Sequence, residues 1–321
     1  MKSIKNITVV SLLLVCFLLA AESASALTIS PVKVEVTGDP GQTLRGELEL
    51  LNEQVGQKTF FSSFENFEPS GDTGSPKFIG QIDGLATWLA AAPSVLIATG
   101  ETVKVPYSIT IPNNAEAGGY FAAIFFGEQD PTTQVAGEVA VGGKLGVLIL
   151  LRVAGDIVEN AGISEFTVSG GSKLKFGLPV ALSYRFSNSG GDRAVPLGDI
   201  VIKNMFGGTA ATVPANINEG SVLPNSSRKF HTMWGGPALA DTEAGFFTTA
   251  KQQLTDFHFG FYKANLSLVY GATNQTATDS LWFTILPWQL LVLVLGGLVV
   301  AVFMLKKYNS WIISKSKSNY S

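Results

Sequence analysis

The sequence predicts an all-β protein: two tandem antiparallel β-sandwiches followed by one C-terminal transmembrane helix. Between the chain ends, runs of about five to ten residues rich in Val, Ile, Phe, Tyr and Thr alternate with Gly, Pro, Asn and Asp, as in antiparallel sheets. Amphipathic helical periodicity is nearly absent there. The chain has 321 residues, of which 46% are hydrophobic and 15% charged, and the most apolar segments lie at its two ends.

The N-terminal end has the pattern of a secretory signal peptide. Lys2 and Lys5 precede an apolar run from Ile7 to Ala21, and Ala24-Ser25-Ala26 supplies the small residues of a cleavage site. We therefore expect residues 1–26 to be removed. The single cysteine, Cys16, lies in the apolar run, so the mature chain is expected to fold without disulfides.

The C-terminal end contains the predicted membrane span, residues 285–305, in which Gln289 is the one clearly polar residue. A helix of this length extends about 30 Å, the thickness of a bilayer core. Lys306 and Lys307 follow directly, and residues 306–321 contain no acid. The positive-inside rule places this basic tail in the cytoplasm and residues 27–284 outside. The prediction is a single-pass type I protein of the plasma membrane.

The predicted ectodomain, residues 27–284, is mildly acidic. It contains 16 Lys and Arg against 24 Asp and Glu, a formal charge of −8. An acidic exterior without basic clusters argues against nucleic acid or anionic lipid as the ligand.

The strand pattern divides the ectodomain into two immunoglobulin-like sandwiches, residues 27–157 and 158–284. Strands expected in the first are 29–36, 43–51, 58–64, 94–97, 102–111, 120–127 and 144–153, with a turn of helix possible within 84–93. Strands expected in the second are 163–168, 179–187, 198–203, 228–233, 259–270 and 279–283.

The residues needed for catalysis or for a cofactor are sparse. The two histidines, His231 and His258, have no metal-ligand spacing. Ser172 and Lys175 match Ser-x-x-Lys, but the match follows two glycines and enters a strand, whereas that nucleophile requires a helix. The sequence therefore predicts a protein that is not an enzyme and has no cofactor; a hydrolase on a sandwich scaffold is the least favoured class.

One segment is a candidate ligand-contact surface. Phe64 and Phe67 are flanked by polar residues, and Asp72 lies in the Gly-rich acidic loop that follows. Exposed rings offer an apolar plane to a sugar. The loop lacks calcium-hand spacing, although an irregular calcium site using Asp72 and backbone carbonyls stays open.

Several segments resemble the WxL-interacting protein family of bacterial surfaces. They are "ISPVKVEVTGDPGQTLRGELELLN", "IPNNAEAGGYFAAIFFG" and "LGVLILLRVAGD" in the first half, and "YRFSNSGGDRAVPLGDIVIKNMFG", "VLPNSSRKFHTMW", "FGFYKANLSLVYG" and "WFTILPW" in the second. The resemblance implies a membrane-anchored protein whose first domain is associated with peptidoglycan. It implies that the second domain binds host or partner proteins, including secreted WxL-domain proteins.

The sequence thus favours a non-enzymatic cell-envelope adhesin or scaffold that binds peptidoglycan or a surface protein. Its affinity would come from sheet faces and loops, or from strand addition at an unprotected sheet edge. The alternative is a structural or assembly subunit of an envelope complex that acts through its membrane span, in which Gly296 and Gly297 permit close helix packing.

Overall fold

The computed structural model of the chain describes residues 26–130, 143–236 and 245–318. The fold is all-β with one long C-terminal helix, which confirms the predicted fold class. The described chain forms two compact units, divided between Asp156 and Ile157. Residues 69–76 group with the second unit. The predicted signal peptide lies outside the described residues, apart from Ala26.

The first unit is a sandwich of two sheets with the strand orders β1-β3-β8-β6 and β2-β10-β9-β4-β5, in which β7 also pairs with β4. Its elements are β1 (Leu27–Ser30), β2 (Lys33–Gly38), β3 (Thr43–Asn52), β4 (Lys58–Ser70), β5 (Ser75–Gly80), α1 (Leu85–Trp88), β6 (Leu89–Ala91), β7 (Ser94–Ile97), β8 (Thr102–Thr110), β9 (Gly118–Gly127) and β10 (Lys144–Val153). The core lies between the sheets: Leu48 and Ile109 from one sheet pack in the same fully buried cluster as Ile124 and Ile149 from the other.

The second unit is a sandwich of a three-stranded sheet, β11-β13-β16, and a five-stranded sheet, β12-β18-β17-β14-β15. Its elements are β11 (Ala161–Val168), β12 (Leu174–Lys175), β13 (Val180–Asn188), β14 (Leu197–Asn204), β15 (Thr209–Pro214), β16 (Ser226–Trp234), α2 (Phe246–Thr255), β17 (Gly260–Tyr270), β18 (Gln275–Ile285) and α3 (Trp288–Ser318). Phe186 of β13 and Leu268 of β17 are fully buried in the core between the sheets.

Strand β9 shows why apolar residues on both strand faces indicate a central position. It pairs with β10 on one side and β4 on the other, and Ala122 to Phe126 are all buried. A strand covered on both faces has no solvent side on which polar residues are needed.

The structure adds elements that the sequence pattern did not predict: β5, β6, β12, β15 and α2. The expectation of one strand over 29–36 is wrong, because this segment is divided into β1 and β2, which lie in different sheets. The helical turn expected within residues 84–93 is α1.

The C-terminal helix begins three residues after the start of the predicted span. Ile285 is the last residue of β18, pairs with Gly260 and is fully buried, so it belongs to the sandwich. The helix begins at Trp288, with only Leu286 and Pro287 between it and β18, and it continues through Lys306 and Lys307 to Ser318.

Candidate functional site

Phe64 and Phe67 contribute to the first sandwich. Phe64 is half-buried and packs against the core. Phe67 is 7% exposed, and its ring lies 6.0 Å from those of both Phe78 and Phe121. The expectation that Phe67 is exposed is wrong, because the unpredicted strand β5 brings Phe78 over it. The ligand-contact assignment of both residues stays a prediction.

Between these two rings, Asn66 has a structural role that its sequence context did not indicate. Its side chain is buried and donates to the Ile82 carbonyl at 2.8 Å, while its Oδ1 accepts the Ala86 amide at 2.9 Å. Asn66 thereby satisfies backbone groups at the entry to α1 that would otherwise be buried without partners.

Asp72 lies in the second unit and is half of an ion pair. Its carboxylate accepts a hydrogen bond from the Arg185 guanidinium, and its carbonyl accepts the Lys229 amide at 2.8 Å. The hydrogen bond from Arg185 lowers the pKa of Asp72 and is the largest cause; desolvation opposes it, and the charges of Arg185 and Lys229 lower the pKa further. The assignment of Asp72 to a ligand surface stays a prediction, and its observed partner is a guanidinium.

The first unit has a shallow groove of about 640 Å³ on the outer face of its four-stranded sheet. Arg45 and Glu47 of β3 are exposed there, and they lie across from Ser108 and Pro106 of β8. Ala90 of β6 pairs with Ser108 and completes an apolar floor with Pro106. The groove therefore has a cation and an anion, two residues apart on one strand, above a largely apolar surface. The Glu47 carboxylate also lies 3.9 Å from the ammonium group of Lys104.

Tyr107 and Gly46 shape this groove from beneath. Tyr107 is 7% exposed and points to the core, and burial raises the pKa of its hydroxyl. A Cβ at Gly46 would lie 2.5 Å from Cζ of Tyr107. Gly46 therefore permits the close approach of the ring to β3.

Two edge strands of the first unit carry charged or Pro residues. On β2, Lys33 and Glu35 form an ion pair of 2.7 Å. On β5, Pro76 is followed by Lys77, which pairs with Glu68 at 2.8 Å. Such residues are typical of edges protected against pairing with another chain.

Two edges of the second unit are also interrupted. Strand β15 has a bulge opposite Ile202 and Lys203, and it ends at Pro214. Strand β18 is paired by β12 only at Thr284 and Ile285. Within the rest of this edge, the Ser280 amide already has a partner, because the Asp279 carboxylate accepts it at 2.6 Å. These features count against strand addition at β2, β5, β15 and β18.

The remaining candidates from the sequence have structural surroundings. His258 stacks on Trp234 at a centroid distance of 4.8 Å, and His231 is exposed on β16. Lys175 lies in β12 and donates to the Ser169 carbonyl at 3.1 Å, so Ser172 and Lys175 are not on a helix, as the sequence indicated. Within the described residues, no three His, Cys, Asp or Glu side chains are grouped to hold a metal ion.

Comparisons with known proteins show no matching family model and no matching curated protein. Solved structures with a similar outline include the class 5 fimbriae chaperone CfaA, at 13% identity and a TM-score of 0.38 over 81% of this chain and 100% of that one. Others are the CsuC–CsuE pre-assembly complex of Acinetobacter baumannii, at 11% identity and TM-score 0.37 over 80% and 98%, and the E. coli chaperone DraB, at 12% and 0.35 over 81% and 97%. These values are too low to transfer any activity to this chain.

Proposed function

We propose that the chain is a non-enzymatic, membrane-anchored binding protein of the cell envelope. Its first sandwich binds peptidoglycan in the groove around Arg45 and Glu47, and a surface protein is the alternative ligand. Helix α3 anchors the chain in the plasma membrane, with the sandwiches outside the cell and the C-terminus in the cytoplasm.

The anchor is supported by the length and exposure of α3. Residues 288–312 form one apolar helix long enough to cross a bilayer. All residues from Leu291 to Ile312 are exposed. A helix that is apolar all round and has no protein cover over most of its length is suited to lipid.

The groove is the observation that carries the binding proposal. Peptidoglycan stem peptides present carboxylates and amines, and the Arg45 guanidinium and Glu47 carboxylate are complementary to those groups. The apolar floor at Ala90 and Pro106 suits the small side chains of such peptides. The resemblance to WxL-interacting proteins, whose first domain is associated with peptidoglycan, is consistent with this assignment.

Sedimentation with purified cell wall tests the proposal. Full-length protein in detergent is mixed with sacculi, pelleted and compared with Arg45→Ala and Glu47→Ala. We expect each substitution to weaken retention about tenfold, the usual effect of losing one charged hydrogen bond. The matched controls are Lys33→Ala and Glu35→Ala, an exposed opposite-charge pair on the other sheet of the same unit, which should leave retention unchanged.

Two results would contradict the assignment. Equal loss in the groove and control variants would show that retention depends on charge in general. If the unmodified protein does not pellet at all, peptidoglycan is not the ligand. A photo-crosslinking residue at Ala90 in native membranes then tests the alternative ligand: a protease-sensitive adduct identifies a protein, such as a WxL-domain protein.

A second candidate function is that of an assembly subunit acting through α3. A Cβ added at Gly296 or Gly297 would have no neighbouring atom within 4 Å. This open surface could accept another helix. Loss of a co-purifying membrane complex in Gly297→Leu, with wall retention intact, would favour this function over the first.

A further inference from the structure

Helix α2 is fixed to the first turn of α3. The buried side chain of Gln253 donates to Gln289 Oε1 at 2.6 Å and to the Phe176 carbonyl at 2.7 Å, and its own Oε1 accepts the Leu290 amide at 3.0 Å. The Phe246 ring packs edge-on against Trp288 at 5.7 Å. Helix α2 therefore lies at the level where α3 leaves the sandwich.

The face of α2 beside the buried one carries two exposed apolar side chains. Phe247 is 74% exposed and Leu254 is 65% exposed. Seven residues separate them, close to two helical turns, so they lie on the same face. Lys251 lies on this face between them and is also exposed; its long stem can follow an apolar surface while its ammonium group reaches a polar layer.

The neighbouring strand ends expose further aromatic residues at the same end of the second unit. Phe261 is 61% exposed and pairs with Thr284, next to the end of β18, and Phe257 and Phe259 precede it with exposures of 56% and 46%. Phe206, 87% exposed, lies in the β14–β15 turn, which the pairing of Asn204 with Tyr262 places at this end. We call this set the aromatic rim: Phe206, Phe247, Leu254, Phe257, Phe259 and Phe261.

Water is an unfavourable environment for so many large apolar side chains in one place. The rim adjoins the start of α3, where Trp288 is itself 41% exposed. Aromatic residues concentrate at the membrane–water interface because their rings suit the boundary between headgroups and acyl chains. An amphipathic helix with Phe, Leu and Lys on its outer face lies in the same layer.

We infer that α2 and the aromatic rim insert into the outer interface of the phospholipid bilayer around α3 and hold the second sandwich against the membrane surface. The ligand is the interface of the bilayer itself. The inference rests on the membrane anchoring proposed for α3. Since the contact is mainly apolar, zwitterionic phospholipid is sufficient for it.

Site-directed spin labelling tests the inference. The protein, which is expected to contain no other cysteine once residues 1–26 are removed, is reconstituted in zwitterionic phospholipid nanodiscs, with a nitroxide on Phe247→Cys, Leu254→Cys or Phe259→Cys. Collision rates with oxygen, which partitions into lipid, and with a water-soluble nickel chelate report the depth of each label. The matched control is Ile217→Cys, which is 72% exposed and follows Pro214, at the opposite end of the five-stranded sheet. Val299→Cys, within α3, reports whether the helix is in the bilayer.

We expect the three rim labels to collide at least about threefold less with the nickel chelate, relative to oxygen, than the Ile217 label does. The inference is overturned if the rim labels match the Ile217 label while the Val299 label is protected. If the Val299 label is also reached by the nickel chelate, the membrane anchoring itself is wrong and the inference fails with it.

Discussion

The carboxylate of Asp72 forms an exposed ion pair with Arg185, and Glu165 also approaches this guanidinium at 3.6 Å. In the sequence, Asp72 is one acid in a Gly-rich loop. Ligand-binding loops and ordinary turns are rich in the same residue types, so composition does not distinguish between them. The partner Arg185 is 113 residues away. No local pattern indicates such a pair.

Asp72→Asn is expected to reduce thermal stability at pH 7 slightly, by at most about a few degrees, because exposed ion pairs contribute little. The pKa of Asp72 is lowered from its ordinary value of 3.8, so the pair stabilises the fold above that value. This contribution is lost as pH falls through the lowered pKa. Melting curves of both proteins should therefore differ at pH 7 and converge once the pH is below the lowered pKa of Asp72. Asp83→Asn, at another exposed acid, is the control; a constant difference at both pH values would refute the assignment.

Gly46→Ala tests the close packing beneath the groove. The added methyl group would overlap the Tyr107 ring, and overpacking of this kind costs about 1–3 kcal/mol. The free energy of unfolding in denaturant measures the loss. Gly162→Ala, in a strand where a Cβ meets nothing within 4 Å, should be neutral or stabilising. Adding Tyr107→Leu should recover part of the loss, and no recovery would locate the strain elsewhere.

At the scale of elements, the long alternating strands were predicted and the short edge elements were not. Strands β3 and β8 bury alternate residues and β9 buries a continuous run in a large core. Their sequences therefore carry a strong pattern. Strands β5 and β15 lie at sheet edges and bury few side chains. They are strands because their backbones pair with a neighbouring strand, and residue type specifies such pairing only weakly.

Helix α2 was missed because its buried face is small and polar. Ala250 and Gln253 are its buried residues, whereas Phe247 and Leu254 face outward. A surface helix is normally recognised because its apolar residues face the core and its polar residues face water, and α2 has the reverse arrangement.

Gln253→Leu is expected to lower stability by about 1–3 kcal/mol, since it leaves the Leu290 amide, the Phe176 carbonyl and Gln289 without this partner. Thermal denaturation of the full-length protein in detergent provides the measurement. Gln252→Leu changes the adjacent, exposed glutamine and should have a much smaller effect. Equal melting temperatures for the two variants would argue that α2 is not held by Gln253.

At the scale of the whole molecule, the two ends of the sequence predict the orientation of the chain in the membrane. The predicted signal peptide and the basic tail after the predicted span would both place residues 27–284 outside the cell. The mature chain is expected to lack cysteine, so single-cysteine variants report the topology directly.

Val55→Cys, at a residue that is 88% exposed, should react with a membrane-impermeant maleimide in intact cells. Ser318→Cys, six residues after Ile312 in the basic tail, should react only after the cells are opened. Labelling of Ser318→Cys in intact cells, with the membrane shown to be sealed, would reverse the proposed orientation.

The sequence by itself determined the all-β class, the division into two units near residue 157 and the apolar C-terminal helix. Each of these depends on composition or on the period of apolar residues, which are local properties of the chain. The tertiary structure decided that Phe67 is buried, that Asp72 pairs with Arg185 and that the groove and the aromatic rim exist. These features depend on strands and turns distant in sequence being brought together, and only the pairing register of the folded sheets specifies which residues meet.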